Sequence, residues 1–259
     1  MMNKIHFGER RIMLSSNITV SESGHLYFGG HDTVELAKTY GTPLFVMDEV
    51  RIRENMRMYR KAFAEHFGEN AQPLYASKAC CFKRIYEIAK EEGMGIDVVS
   101  AGEIYTAQQA GYPLCKAYFH SNNKTDWEIG YAMDVGVGCF VVDNREELDA
   151  INAIAGEKGI RQKILLRLTP GIDPHTYDAV ATGKVDSKFG TAIETGQALE
   201  MVGYTLGLSN IDLKGFHCHV GSQVFGEDVY HRTADIMLDF MAQCRDTYGK
   251  ELEILDMGG

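Results

Sequence analysis

The sequence predicts an α/β protein whose main body is an incomplete (β/α) barrel. Short apolar segments, rich in β-branched side chains, recur along the chain from about residue 74. Segments with helix start and stop signals separate them, and this alternation is typical of parallel βαβ units. Seven strands are expected, at 74–77, 96–99, 117–120, 139–142, 164–168, 215–220 and 253–257.

Capping residues predict the helices. Ser100, Thr125 and Asn144 each stand three residues before a glutamate, which is the spacing of a capping box. A longer helix is predicted over about 49–66, with Asp48 as its cap. Each predicted helix in the barrel region therefore follows a predicted strand, as a parallel sheet requires.

The number of strands is one short of a closed barrel, which has eight. The chain stops directly after the strand at 253–257, before the helix that should cover it. We therefore interpret the sequence as a fragment, truncated before the last barrel strand. Apolar strands at 43–47 and 253–257 would then lack neighbours. A doubly wound open sheet is the alternative, although no GxGxxG motif follows the first strand.

Composition argues against nucleic-acid and membrane proteins. The formal net charge of the 259 residues is −10, and no basic stripe interrupts this acidic balance. Charges break every apolar run near the N-terminus, and no segment approaches the ~20 apolar residues of a membrane span. The six cysteines form no CxxC pair, so we expect buried, reduced thiols in a cytoplasmic protein.

Lys78 directly follows the first barrel strand. Barrels of this kind gather their active sites at the carboxyl ends of the strands. A lysine shielded from water at that position is more easily neutral and nucleophilic, as Schiff-base chemistry requires. A surface lysine at a strand end is the alternative, and the local pattern taken alone favours it.

Two histidines, His217 and His219, alternate with Cys218 in a strand and should share one face. Three interpretations stay open: metal binding, packing against a planar cofactor, and a hydrogen-bonded polar pair. No third metal ligand with convincing spacing is seen. Ser222 follows with a hydroxyl suited to phosphate. Gly258-Gly259 follow the last strand and offer backbone N–H groups for the same purpose, or form a plain tight turn.

Asp97 and a long polar segment complete the candidates. Asp97 lies inside an apolar strand, and burying a charge is costly unless it is paired. We expect it to meet a cation or donor at the barrel mouth, unless it faces water at an edge. The polar segment 167–190 suits an active-site lid, and a solvated loop is equally compatible with it.

Six segments together resemble the fold-type III, or alanine-racemase-like, enzymes that use pyridoxal 5′-phosphate (PLP). Within that group they look most like the diaminopimelate decarboxylase family, over about 43–259. The segments are Tyr75-Ala76-Ser77-Lys78-Ala79, Asp97-Val98-Val99-Ser100-Ala101-Gly102-Glu103, His120-Ser121-Asn122-Asn123-Lys124, Arg167-Leu168-Thr169-Pro170-Gly171, Asp186-Ser187-Lys188-Phe189-Gly190 and His217-Cys218-His219-Val220-Gly221-Ser222-Gln223. Their family order makes coincidence a poor explanation.

The resemblance implies a role for each candidate residue. Lys78 would hold PLP as a Schiff base and His219 would stack on its ring, which makes these two the predicted catalytic residues. Ser222 and the Gly258-Gly259 loop would bind the phosphate. The predicted cofactor-binding residues are Lys78, Asp97, Arg167, His219, Ser222, Gly258 and Gly259. The resemblance implies no metal.

The implied reaction converts meso-2,6-diaminopimelate to L-lysine and CO2, the last step of lysine biosynthesis, in a cytoplasmic homodimer. Residues 1–42 would be the N-terminal piece of a β-domain, and residues 43–259 the PLP-binding barrel. The family also has a Glu-Pro-Gly-Arg segment and a C-terminal β-domain that this chain does not contain. We therefore expect little or no decarboxylase activity from the 259-residue chain alone.

Three other functions stay open. The first is another fold-type III enzyme, such as alanine racemase or a different basic-amino-acid decarboxylase. The second is a non-catalytic PLP-binding or regulatory protein on the same barrel. The third is a metal hydrolase that uses His217 and His219.

Overall fold

A computed structural model describes residues 16–172, 189–222 and 224–259. The chain divides into two compact units, Met1–Ala71 and Gln72–Gly259. This division follows compactness and does not test the predicted domain boundary between residues 42 and 43, which stays a prediction.

The first unit contains a small antiparallel sheet and two helices. Its elements are β1 (Ile18–Val20), β2 (Leu26–Phe28), β3 (His31–Asp32), α1 (Thr33–Tyr40) and α2 (Glu49–Phe67). β2 lies between β1 and β3. The Asp48 carboxylate accepts the Arg51 N–H and so caps α2, which confirms the helix predicted over about 49–66.

The apolar strand predicted at 43–47 is wrong. The backbone there forms no strand, and the Phe45 side chain is 98% exposed. A strand is stabilised by hydrogen bonds to a neighbour and by burial of its side chains. Within the described residues of its own unit, this segment has neither.

The second unit confirms the predicted parallel sheet. Its main strands are β4 (Leu74–Ala76), β5 (Gly95–Val98), β6 (Ala117–Phe119), β7 (Cys139–Val142), β8 (Gln162–Thr169), β10 (Ile211–His217) and β11 (Ile254–Asp256). These seven strands follow one another in the order β4-β5-β6-β7-β8-β10-β11 and curl into part of a barrel. A two-residue strand, β9 (Thr191–Ala192), pairs with β8. All these pairings are parallel.

Helices connect the strands of this sheet. They are α3 (Lys83–Glu91), α4 (Ala101–Gln109), α5 (Asp126–Asp134), α6 (Arg145–Glu157), α7 (Gln197–Leu206) and α8 (Glu227–Tyr248). Thr125 forms a complete capping box with Glu128. Ser100 and Asn144 also cap their helices, but the partner glutamates Glu103 and Glu147 reach one residue further back along the chain.

The core of the second unit lies between the sheet and these helices. All four residues of β7 are buried, as expected for a parallel strand covered on both faces. Phe119 and Phe140, on neighbouring strands, are fully buried and meet edge to face with ring centroids 5.5 Å apart. Burial of each such side chain stabilises the fold by about 1.5–3 kcal/mol.

The cysteine prediction holds in part. All six thiols are free, and three of them are buried: Cys139, Cys218 and Cys244. It is wrong for two exposed thiols. Cys81 lies in the connection between β4 and α3, and Cys115 lies in a single 3-10 turn, Leu114–Lys116. Of the helices in the described ranges, none combines the length and the apolar character that crossing a bilayer requires.

Candidate active site

The predicted site residues lie at or just beyond the carboxyl ends of the strands. They follow or occupy five strands: Lys78 after β4, Asp97 in β5, Arg167 in β8, His219 and Ser222 after β10, and Gly258-Gly259 after β11. Parallel strands present these ends at one edge, so residues distant in sequence face one region. Arg167, His217 and Asp256 are direct neighbours in register across β8, β10 and β11.

Lys78 lies in a single 3-10 turn, Ser77–Ala79, which follows β4. The Tyr75 hydroxyl donates a hydrogen bond to the Cys80 carbonyl at 2.7 Å and closes the chain around this turn. Ser77 is fully buried, whereas Lys78 is exposed. The predicted shielding of Lys78 from water is therefore wrong in this chain, because it lies in a short turn after the strand, where its side chain is accessible. Its position at the strand end is as predicted.

The His219 imidazole is held by the turn that follows the last strand. Its Nδ1 accepts the Gly259 N–H at 3.2 Å. Burial, then the positive charges of Lys78 and Arg167, lowers the pKa of His219 to about 4. The ring is therefore neutral at pH 7, with its proton on Nε2, and its orientation is set by a backbone group.

The backbone and the surroundings of Gly258 strongly favour glycine. Its φ is +66°, and an added Cβ would lie 2.6 Å from the Cys218 carbonyl oxygen and 2.8 Å from His219 Nδ1. Its N–H donates to the Asp256 carboxylate at 2.9 Å. At Gly259 an added Cβ would meet nothing within 4 Å. The turn after β11 therefore packs tightly against the chain after β10 and leaves Gly259 open.

A buried polar group, here named the histidine cluster, consists of Asp97, His120, His217 and Asp256. The two rings meet edge to face with centroids 4.6 Å apart. His120 Nε2 lies 3.5 Å from an Asp97 oxygen and 4.0 Å from an Asp256 oxygen. Within the described ranges, three of its buried atoms have no hydrogen-bond partner: Asp97 Oδ1, His120 Nε2 and His217 Nδ1.

The electrostatics of the histidine cluster favour neutral rings and a retained proton. Burial and then the Asp256 charge raise the pKa of Asp97 to about 7, against the opposing charge of Lys78. Burial raises the pKa of Asp256 as well. It also lowers the pKa values of His120 and His217 well below their usual range. Near pH 7 the cluster therefore carries a carboxyl proton rather than an imidazolium.

Sequence reasoning did not assign a site role to His120 or Asp256. Each stands at the end of a predicted strand, so the topology of a parallel sheet was the available signal. The topology alone does not predict which side chains at the strand ends contact one another in a curled sheet. The cations expected to meet Asp97 are Lys78 and Arg167, whose charges act on its carboxyl. His120 lies 3.5 Å from it without a hydrogen bond.

These residues also bear on the metal interpretation. His120, His217 and Asp256 offer ligand atoms within 4.8 Å of one another. Tetrahedral zinc ligands lie closer, roughly 3.3 Å apart for bonds of about 2.0–2.1 Å. The positive charges of Lys78 and Arg167 act on both histidines and oppose a metal ion there. The arrangement suits an anionic ligand better than a cation.

Arg167 is held from two sides. Its guanidinium lies 4.3 Å from the centre of the Phe189 ring and 3.7 Å from an Asp143 oxygen. The same carboxylate accepts the Gly190 N–H at 3.1 Å. Phe189 and Gly190 end the long polar segment in which a lid is predicted. The rest of that segment, 173–188, lies outside the described residues, as does Gln223.

The residues present fit an anionic, aldehyde-bearing aromatic cofactor such as PLP. Lys78 offers an exposed amine, and His219 offers a neutral, oriented ring. The Ser222 side chain is exposed, three residues after His219. Buried atoms without hydrogen-bond partners in the histidine cluster can bind polar substituents, which would remove the cost of leaving them unpaired.

Comparison with known proteins gives one consistent result. Residues 49–259 match the family of pyridoxal-dependent decarboxylases, pyridoxal binding domain. A diaminopimelate decarboxylase of Bacillus methanolicus is 44% identical over 240 residues, 93% of this chain and 55% of that protein. The crystal structure of diaminopimelate decarboxylase from M. jannaschii superposes with a TM-score of 0.84 at 32% identity, over 94% of this chain and 56% of that one.

The same M. jannaschii enzyme in complex with L-lysine gives a TM-score of 0.83 at 31% identity, over 93% of this chain and 56% of that one. The chain therefore spans about half the length of the relatives that it matches.

Proposed function

Because this chain belongs to the family of pyridoxal-dependent decarboxylases, through their pyridoxal-binding domain, we propose that it forms the cofactor-binding part of a diaminopimelate decarboxylase. Family membership confirms the predicted cofactor, PLP. The observation that carries the proposed substrate is 44% identity to a diaminopimelate decarboxylase across 93% of the chain. The reaction would convert meso-2,6-diaminopimelate to L-lysine and CO2. A related structure that holds L-lysine supports this product.

Lys78 is the proposed site of covalent attachment. When bound, PLP supplies an electron sink for the charge left on the α-carbon as CO2 departs. Lys78 offers the amine for this attachment at the strand end. The charge of Lys78 acts on the Asp97 carboxyl, whose pKa burial raises to about 7, which supports placing both residues in one site.

His219 is the proposed support for the ring plane. Its imidazole is neutral, and the Gly259 N–H holds its Nδ1, so the flat face keeps one orientation. A fixed ring plane would let the protein hold the bond to the carboxylate perpendicular to the ring. Ser222 and Gly258-Gly259 would bind the phosphate through a hydroxyl and backbone N–H groups.

A trapping experiment tests the cofactor assignment. The purified chain is incubated with PLP, reduced with borohydride and mapped by peptide mass spectrometry. We expect a phosphopyridoxyl mass on the peptide that contains Lys78. Labelling of other lysines, while Lys78 stays free in a chain with native circular dichroism, would show that the assignment is wrong.

A chimera tests the substrate. The chain is joined to the C-terminal part of the B. methanolicus enzyme, to which it is 44% identical. We expect CO2 and L-lysine from diaminopimelate, and little product from ornithine, arginine or alanine. The chain by itself should show little or no activity, because it spans 55% of that relative. Equal turnover of ornithine by the chimera would contradict the proposed substrate.

We also propose that the complete enzyme is a cytoplasmic homodimer. The support is the resemblance alone, since enzymes of this family complete their sites with residues from a second subunit. Sedimentation of the chimera, with and without PLP, measures the oligomeric state. A monomer with full activity would contradict this proposal.

A further inference from the structure

Lys124 and Glu147 form an ion pair that is almost completely buried. Lys124 Nζ lies 2.7 Å from a Glu147 oxygen, and the side chains are 0% and 4% exposed. The other two ammonium hydrogens go to the carbonyls of Ser121, at 2.9 Å, and Val141, at 2.8 Å. All three donors of the lysine are therefore used inside the protein.

The second oxygen of Glu147 connects this pair to Arg167. It accepts the backbone N–H of Asp143 at 3.0 Å. The Asp143 side chain in turn lies 3.7 Å from Arg167 and accepts the Gly190 N–H. An unbroken series of contacts therefore runs from a buried lysine to the guanidinium in the candidate site.

Stability does not explain why an ion pair occupies this position. Burial lowers the pKa of Lys124 and raises that of Glu147, so each charge is costly where it lies. Replacing a buried ion pair with apolar residues of similar volume is often neutral or stabilising. Apolar residues, however, cannot accept the Asp143 N–H.

We propose that Glu147, with Lys124 as its buried counter-ion, is a positioning residue, which holds Arg167 in the candidate site by fixing the backbone of Asp143. Lys124 neutralises the buried Glu147 carboxylate, and Glu147 anchors Asp143 through the backbone N–H. The inference rests on the proposed function only in that Arg167 belongs to a cofactor site. The series of contacts does not depend on it.

The position of Arg167 can be followed without cofactor, because its charge affects the pKa of His219. Burial lowers the pKa of His219, and the charges of Lys78 and then Arg167 lower it further. The charge of Arg167 also lowers the pKa of Asp97 and those of His120 and His217. If Arg167 moves away, the pKa of His219 rises toward its ordinary value.

Two double variants distinguish the loss of the Glu147 oxygen that accepts the Asp143 N–H from the loss of the two charges. K124M/E147Q removes both charges but keeps an oxygen that can accept the Asp143 N–H. K124M/E147M removes the charges and the acceptor with side chains of similar length. K214M/E253M removes an ion pair outside this series of contacts and serves as the control. The pKa of His219 is measured by NMR of histidine-labelled chain, with H219Q for assignment, and PLP affinity by fluorescence titration.

We expect K124M/E147M to raise the pKa of His219 by about 0.5 and to weaken PLP binding about tenfold. K124M/E147Q and the control should match the unsubstituted chain in both measurements. Equal pKa values in the two double variants would overturn the proposal, and so would failure of K124M/E147Q to fold. If only K124M/E147M fails to fold, D143N decides: an unchanged pKa of His219 overturns the proposal, and a rise supports it. Absence of PLP binding in the unsubstituted chain would count against the proposed function alone, because the histidine titration is independent of it.

Discussion

Two buried polar groups lie at the carboxyl ends of the strands, and they differ in how completely they are hydrogen bonded. In the Lys124–Glu147 pair every ammonium hydrogen has an acceptor, and both carboxylate oxygens have donors. In the histidine cluster, atoms of Asp97, His120 and His217 have no hydrogen-bond partner within the described ranges. Both groups are costly to bury, but only the first recovers that cost inside the chain.

This difference in hydrogen bonding suits the two groups to different roles: the satisfied pair to holding the structure, and the unsatisfied cluster to binding a ligand or exchanging a proton. A satisfied network holds one arrangement, because any movement breaks several bonds at once. Buried groups without partners can bind a ligand or exchange a proton with little reorganisation. The unsatisfied group lies among the proposed cofactor residues, and the satisfied one is joined to Arg167 through Asp143. Four predictions test this division, in order of decreasing expected effect.

The largest effect should come from Lys78. Lys78→Ala removes the proposed attachment point and should reduce borohydride-trapped PLP by at least about a hundredfold. Lys83→Ala is the matched control, because Lys83 is also exposed and lies five residues further along. Peptide mapping measures the trapped mass in each variant. Equal amounts of trapped PLP in Lys78→Ala and Lys83→Ala would show that Lys78 is not the attachment point.

Breaking the Lys124–Glu147 pair should cause a large loss in the free energy of unfolding. Lys124→Ala leaves Glu147 buried without its partner, and the free energy of unfolding should fall by about 3–5 kcal/mol. Lys158→Ala breaks a pair whose side chains are 29% and 63% exposed, and should cost less than about 1 kcal/mol. Urea denaturation measures both. Similar losses would mean that burial of the pair has no energetic consequence.

The unsatisfied cluster should make stability depend on pH. The pKa of Asp97 is raised to about 7, so the folded chain keeps a proton that the unfolded chain loses above about pH 4. The stability contributed by that proton disappears as pH rises to about 7 and beyond. Between about pH 5 and pH 8 the unsubstituted chain should lose about 1–3 kcal/mol more than Asp97→Asn.

Urea denaturation at the two pH values measures the effect of Asp97. Asp126→Asn, at an exposed position on α5, is the control and should follow the unsubstituted chain. An Asp97→Asn variant with the same pH dependence as the unsubstituted chain would refute the retained proton.

The smallest effect concerns the turn that holds His219. Gly258→Ala places a methyl group 2.6 Å from the Cys218 oxygen at φ +66°, and should cost about 1–2 kcal/mol. Gly259→Ala meets nothing within 4 Å and should be nearly neutral. Thermal unfolding compares the pair. A neutral Gly258→Ala would show that the turn relaxes without cost.

Local patterns along the chain were sufficient for the parallel sheet and its helices. Apolar runs and capping residues place the seven main strands and α2 to within about four residues, because strand burial and cap chemistry are local properties. They did not predict the two-residue strand β9. They failed at 43–47, where an apolar run pairs with no strand among the described residues of its unit. The motif at Lys78 predicted a lysine at the end of the first barrel strand, where the structure has it, but not its exposure.

Contacts between distant strands were decided only by folding. His120 and Asp256 join His217 across the inside of the curled sheet, and Glu147 reaches Asp143 and Lys124 together. No spacing along the chain encodes these meetings, because they depend on the register and curvature of the sheet. Residue types and their order along the strands are written in the sequence, whereas partners, burial and pKa values arise from packing in three dimensions.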